Sequence, residues 1–165
     1  MIEVRIASLN ADAATGQPIV LLKPLEDELL GFDGRLLPIW IGHPEATAIL
    51  LALEGEEFPR PLTHDLLKAA IDALGARVMR VAVTRLEAGT YYAEIVLSAD
   101  DGDVVLDARP SDGIALAVRC GCPIYVAEDV FAEAAVHIET EEDVEDELRR
   151  FREFLDHVDP SDFTS

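Results

Sequence analysis

Twice along this chain, over residues 2–54 and 77–119, three short strand-like stretches run into a stretch of helical spacing. In both passages the last strand stops three residues before an acid, Glu45 or Asp112, that falls in the first helical turn. Identity between the passages is slight, so a duplication rests on the order of elements alone. A β-β-β-α succession written twice, with a further helix between, points to an α+β fold. We expect mixed, mainly antiparallel strands with packed helices, arranged as two β-β-β-α halves.

The individual stretches are read from period and punctuation. Residues 2–9 alternate apolar and polar side chains, residues 10–16 form a turn, and residues 18–23 return as a second strand. Residues 26–34 read as an acidic loop and residues 36–41 as a short apolar strand ending at Gly42. Residues 43–53 have helical spacing, with Ala46, Ile49, Leu50 and Leu53 on one face and Pro44 tolerated in the first turn. Thr63 reads as the N-cap of a helix over 66–74 that Gly75 closes. Residues 77–86 alternate, placing Val78, Arg80, Ala82 and Thr84 opposite Met79, Val81, Val83 and Arg85. Ala88-Gly89-Thr90 turns the chain into a strand over 91–98, and an acidic turn at 100–103 precedes another over 104–109. Ser111 opens a helix through Val118, and residues 123–126 form a last short strand. Thr140 with Asp143 resembles a capping box for an acidic helix over 141–158. No linker rich in Pro, Gly or Ser interrupts the chain, so we expect one domain over residues 1–135 and an acidic C-terminal helix and tail over 136–165.

Half of the 165 residues are apolar, which excludes a wholly disordered chain. No apolar run reaches the ~18 residues that span a bilayer, and residues 1–5 open directly in a strand pattern without signal-peptide anatomy. Cys120 and Cys122 lie too close to staple the fold and lack a second ligand pair for zinc, so they read as free thiols of a reducing cytoplasm. The net charge is −20, of which −11 falls from Val126 onward. Such a field repels nucleic acid at long range and argues against tight, non-specific duplex binding. Any nucleic-acid role then rests on local arginines or bound cations.

The candidates for chemistry lie where strands run into helices. In Asp107-Ala108-Arg109-Pro110-Ser111-Asp112, a carboxylate pair and an arginine stand at a helix start whose free N–H groups favour anions. They could hold a divalent metal and clamp a phosphate. Equally, Ser111 could be an N-cap, Asp112 a complement to the helix dipole, and Asp107 a partner for Arg109. In Arg60-Pro61-Leu62-Thr63-His64-Asp65, His64 could be a general base or ligand, or a surface residue beside a cap. Glu45 repeats the place of Asp112, and His43 before it suits a ligand, a cap or solvent. Tyr91 and Tyr92 fall on opposite faces of a strand and suit packing better than base stacking. His137 and His157 sit in acidic surroundings. There is no P-loop, GxGxxG, HExxH or Gly-x-Ser-x-Gly elbow.

Together, Leu37-Pro38-Ile39-Trp40-Ile41-Gly42 with Glu45-Ala46, Arg60 to Asp65, Gly89-Thr90-Tyr91-Tyr92-Ala93, and Asp107 to Asp112 with Ile114-Ala115-Leu116-Ala117 resemble the bifunctional nuclease domain family. The likeness runs over about residues 1–135 and is most specific at Asp107 to Asp112; Gly113 stands where a small residue such as Ala is expected. The resemblance implies an α+β protein of bacteria or plants with DNase and RNase activity, and a homo-oligomer. It supplies no catalytic mechanism and no role for the segment after residue 138. On this reading Asp107 and Asp112, with Glu45 or Asp65, would hold Mg²⁺ or Mn²⁺, Arg109, Arg60 and Ser111 would bind phosphate, and His64 would move a proton. The alternative is a non-catalytic oligomeric binding or regulatory module whose polar motifs are caps and ion pairs. A weaker one is a nucleic-acid mimic acting through the acidic tail.

Overall fold

Alternation in the first residues becomes strand β1 (Ile2–Ala11), and the chain reverses through a turn held by Asp12. The Asp12 carboxylate accepts the N–H groups of Ala14 and Thr15, both at 2.9 Å, and β2 (Pro18–Pro24) runs back antiparallel. The computed structural model describes residues 1–26, 31, 34–137, 149 and 153. After β2 come β3 (Leu37–Trp40), α1 (His43–Leu53) and α2 (Thr63–Ala73). Strands β4 (Arg77–Glu87) and β5 (Thr90–Ala99) form a hairpin. Its turn residues Ala88 and Gly89 both have positive φ, 48° and 78°, which lets a two-residue turn follow the natural strand twist. Then follow β6 (Gly102–Ala108), α3 (Pro110–Cys120), β7 (Ile124–Val126) and α4 (Glu128–Ala134).

All seven strands join one sheet in the order β3-β2-β1-β7-β4-β5-β6. That order is palindromic about β7, with β1-β2-β3-α1 on one side and β4-β5-β6-α3 on the other. Strand β7 runs antiparallel to β1 and parallel to β4, so the halves run oppositely across the centre. The remaining pairs are antiparallel. The fold is therefore α+β and mainly antiparallel, in two β-β-β-α halves, as the sequence predicts.

Helices α1 and α3 pack against each other, α1 also on β2, and α3 on β4 and β5. The core between sheet and helices includes Val20, Leu22, Leu37, Ile49, Val81, Val83, Ile114, Leu116, Val126 and Phe131, all fully buried. Each such side chain contributes about 1.5–3 kcal/mol of burial. Gly113 is what lets α3 settle on β4: a Cβ there would lie 2.7 Å from Val81 Cγ1.

Four local expectations change. The strict alternation expected of β4 fails because bulges interrupt its pairing with β5 between Val78 and Arg80 and between Val83 and Arg85. The first bulge turns Val78 onto the buried side with Val81 and Val83. Helix α2 starts earlier than expected, with Leu62 rather than Thr63 as N-cap, because Asp65 reaches back to the Leu62 N–H at 2.9 Å. Helix α3 likewise takes Arg109, not Ser111, as N-cap, because Pro110 presets the first helical turn. On α1, Ile49 is buried but Leu50 and Leu53 of the expected apolar stripe are exposed. The sequence reading also lacked α4, which buries Val130 and Phe131. The acidic helix over 141–158 lies, apart from Arg149 and Glu153, outside the described residues, as does most of the loop over 26–34.

Candidate active site at the helix entrances

Helices α1, α2 and α3 each carry an acid at the third helical position: Glu45, Asp65 and Asp112. Free N–H groups and the helix dipole favour negative charge there. Arginines take up all three carboxylates. Arg109 donates from Nε to Asp112 Oδ2 at 2.7 Å and from Nη2 to Glu45 Oε1 at 2.8 Å. Arg119, almost fully buried in the last turn of α3, donates from Nε to Asp65 Oδ1 at 2.7 Å and from Nη1 to the Ala115 carbonyl at 2.8 Å. His64 Nε2 lies 2.9 Å from Asp112 Oδ1. His64, Asp112, Arg109 and Glu45 thus form one chain of contacts drawn from three separate stretches of sequence.

The electrostatics follow from that chain. Burial pushes the Asp112 carboxyl up, but hydrogen bonds from Arg109 and His64 outweigh it and hold the group below its usual range. The Arg109 hydrogen bond does the same for Glu45, and the Arg119 hydrogen bond, helped by the Leu62 N–H, for Asp65. Arg109 is raised in turn by Asp112 and then Glu45, so its charge is permanent. An ionised carboxylate only accepts, so His64 Nε2 carries a proton toward Asp112, and in the neutral form of the ring Nδ1 is the nitrogen with the lone pair. Nδ1 has no hydrogen-bond partner among the described residues.

Glu45, His64, Arg109 and Asp112 border an open cleft of about 540 Å³, walled by Thr47, Ala48 and Leu51 of α1 and by Pro61 and Leu62. The Arg109 side chain is 64% exposed beside it, whereas the Glu45 side chain is 16% exposed, so the cleft presents a cation with its acids tucked behind. Gly42 permits this, since a Cβ there would collide with Glu45 Oε2. A second cleft of about 570 Å³ that His64 and Asp112 also border is mostly apolar, lined by Leu66, Leu67, Ala70, Ile95 and Leu106.

The remaining candidates stand apart from the chain of contacts. Asp107 is exposed on β6, opposite Glu94 and bordering the apolar cleft; it does not pair with Arg109, because the strand's period ends at Ala108. Arg60 is exposed in the connection between α1 and α2, outside the 540 Å³ cleft and with no ion pair among the described residues. Ser111 is buried at the second position of α3. His43 is exposed, and its carbonyl accepts the Thr47 hydroxyl at 3.0 Å. Tyr92 lies under Arg85 at 4.0 Å, and the Tyr91 hydroxyl donates to the Pro38 carbonyl at 3.2 Å. His137 is exposed, and His157 lies outside the described residues. Arg119 was absent from the sequence reading, although its place in a helical last turn was a signal for a cation.

Among the described residues, no three or more His, Cys, Asp or Glu side chains gather around one point. Both Asp112 oxygens are engaged by Arg109 and His64, and Asp65 is turned to Arg119. A Mg²⁺ or Mn²⁺ ion taking Asp112 as a ligand would therefore have to displace Arg109 or His64 from it, with water and substrate phosphate completing the oxygen shell. No helix among the described residues is long and apolar enough to cross a membrane.

A family model described as the bifunctional nuclease domain matches residues 28–139. An uncharacterised protein of Mycobacterium tuberculosis is 43% identical over 168 residues, covering 98% of this chain and 97% of its own. Bifunctional nuclease 2 of Arabidopsis thaliana is 38% identical over 96 residues, 56% of this chain and 29% of its own. Bifunctional nuclease 1 of Oryza sativa subsp. japonica is 33% identical over 118 residues, 70% of this chain and 34% of its own.

Proposed function

Since the chain belongs to the bifunctional nuclease domain family, we propose that it is a nuclease that hydrolyses phosphodiester bonds of DNA and RNA at the His64–Asp112–Arg109 site. The observation that carries this reading is Asp112, one carboxylate joined at 2.7 Å to an exposed arginine and at 2.9 Å to a histidine with a free nitrogen. Arg109 receives a phosphate oxygen and stabilises the charge that builds on it as the nucleophile adds. His64 Nδ1 takes the proton of the attacking water and returns it to the departing oxygen. Asp112 fixes the ring's tautomer and stabilises the imidazolium, and Glu45 holds Arg109 over the cleft. With RNA, the ribose 2′-hydroxyl can replace water.

The test is cleavage of labelled single-stranded DNA and RNA by purified wild type, His64→Gln, Arg109→Gln and Asp112→Asn. Losses of at least a hundredfold in the variants support the reading, and equal residual rates in all four would assign the activity to a contaminant. A chelator arm tests the Mg²⁺ or Mn²⁺ dependence expected from sequence. We place the protein in the cytoplasm, in keeping with free Cys120 and Cys122.

The homo-oligomer implied by the family has a candidate surface. Strand β6 is an edge, and its Val104, Val105 and Leu106 are exposed, as are Leu66 and Leu67 of the neighbouring α2. An apolar edge with no further strand beside it among the described residues invites pairing with a second copy. The same surface favours a second reading, a non-catalytic oligomeric module in which the arginine-bound acids only fix the helix entrances. Variants that melt lower yet leave no activity to lose would select it.

A further inference from the structure

A smaller cleft, of about 290 Å³, shares Arg109 with the His64 cleft and is bordered also by Trp40, Tyr91 and Ser111. Trp40 is the chain's only tryptophan, and it ends edge strand β3 with 48% of its surface exposed. Its ring is braced: Nε1 donates to Asp12 Oδ2 at 3.4 Å, and the other Asp12 oxygen is pinned by the Ala14 and Thr15 N–H groups. Ser111 is 5% exposed at the wall of this cleft, and its hydroxyl has no hydrogen-bond partner among the described residues. An oriented aromatic face, an arginine and an unpartnered buried hydroxyl therefore share one cleft, and Arg109 belongs to both clefts at once.

We infer that the Trp40 cleft is a nucleobase-stacking subsite, which makes single-stranded nucleic acid the substrate class; this rests on the nuclease reading of the Arg109 site. A phosphate held at Arg109 leaves the base on one side of it within the smaller cleft, where the indole offers a stacking surface that any base can use. Bases inside a duplex are already stacked on their neighbours and cannot reach it without being extruded. The volume suits one base, not a helix. The subsite also answers the −20 net charge: affinity comes from stacking and one arginine, not from a broad cationic surface.

The single indole is its own probe. The full-length protein is titrated with a deoxythymidylate 12-mer and with a hairpin duplex, following tryptophan emission, while end-label anisotropy reports binding separately. Saturable quenching by the single strand and none by the duplex is the expected result. Trp40→Leu should raise Kd for the single strand by about 5- to 100-fold, and Trp40→Phe, which keeps a ring, should restore most of the affinity. Binding seen by anisotropy without any change in emission, or unchanged affinity in Trp40→Leu, overturns the subsite. So does emission that shifts with protein concentration alone, which would seat a second copy on the indole. Cleavage at the wild-type rate by Trp40→Leu, together with no quenching of the indole in wild type, removes the subsite and leaves the nuclease reading intact. Quenching without any cleavage removes the nuclease reading and leaves a single-strand binding surface.

Discussion

Replacing Asp112 by Asn should abolish catalysis while barely disturbing the fold, and the reason lies in hydrogen-bond polarity. Arg109 can only donate, so the new amide must give its oxygen to Arg109 Nε, where the carboxylate now stands at 2.7 Å. Its NH₂ then faces His64 Nε2, now 2.9 Å from a carboxylate oxygen, and Nε2 must change from donor to acceptor. The ring proton moves to Nδ1, the nitrogen assigned as base. General-base assistance contributes on the order of 10²–10⁴ in rate, so kcat should fall by about that factor. Both contacts survive with less charge, at a carboxylate 29% exposed, so the stability cost after solvent screening is about 1 kcal/mol. For a domain of this size that lowers Tm by about 2–4 °C. Single-turnover cleavage, thermal melts and nitrogen-15 spectra of the His64 ring measure the three consequences. An Asp112→Asn protein that cleaves within about fivefold of wild type, or that keeps the ring proton on Nε2, would refute the reasoning.

Asp65→Ala leaves the Arg119 guanidinium buried with only the Ala115 carbonyl, so calorimetry should show a loss of about 2–4 kcal/mol while activity per folded molecule stays unchanged. Gly113→Ala gains about 1 kcal/mol of helix propensity but forces a methyl against Val81, at a cost of about 1–3 kcal/mol. In the Val81→Ala background the same change should stabilise, and denaturant unfolding of the four proteins checks the sign reversal. Glu45, Asp65 and Asp112 have folded-state pKa values below their ordinary ones. Their contribution is therefore complete above about pH 4.5 and is lost as pH falls through the lowered values. Melts from pH 6 to 2 should show this decline, with a shallower slope in Asp65→Asn. Val105→Lys on the open β6 edge should lower the mass seen by light scattering if β6 joins copies, and leave it unchanged if another surface does.

The residues themselves show how far sequence can be read. Helix α1 matches its expected bounds end for end, because Gly42 and Pro44 mark its start and Gly55 follows its end. The caps at Thr63 and Ser111 were misplaced because a hydroxyl is only one way to satisfy a helix start. In α2, Asp65 does it from inside the helix. The bulges in β4 depend on pairing with β5, which no period within β4 can reveal. Helix α4 is barely two turns long, too brief to show a period. Glu45, His64, Arg109 and Asp112 were legible one by one, as polar groups at helix entrances. Their meeting was not, since it depends on α1 and α3 packing across the sheet's centre. Arg119 escaped, and Trp40 was read only as part of a strand motif, because a buried arginine and an exposed indole invert the usual preference of each type.

The palindromic sheet order gives its two halves matching helix entrances, yet they are not filled alike. At the N-cap of α1 stands Gly42, and at the N-cap of α3 stands Arg109, each followed three places on by an acid. Identical entrances would have presented either a pair of guanidinium groups or none. With one shared between both acids, the surface is unequal: one cleft at the cation holds the histidine, and another holds the indole. On the nuclease reading, a polymer laid across such a surface has a front and a back, so the order of its sugar–phosphate links should decide which bond meets the histidine.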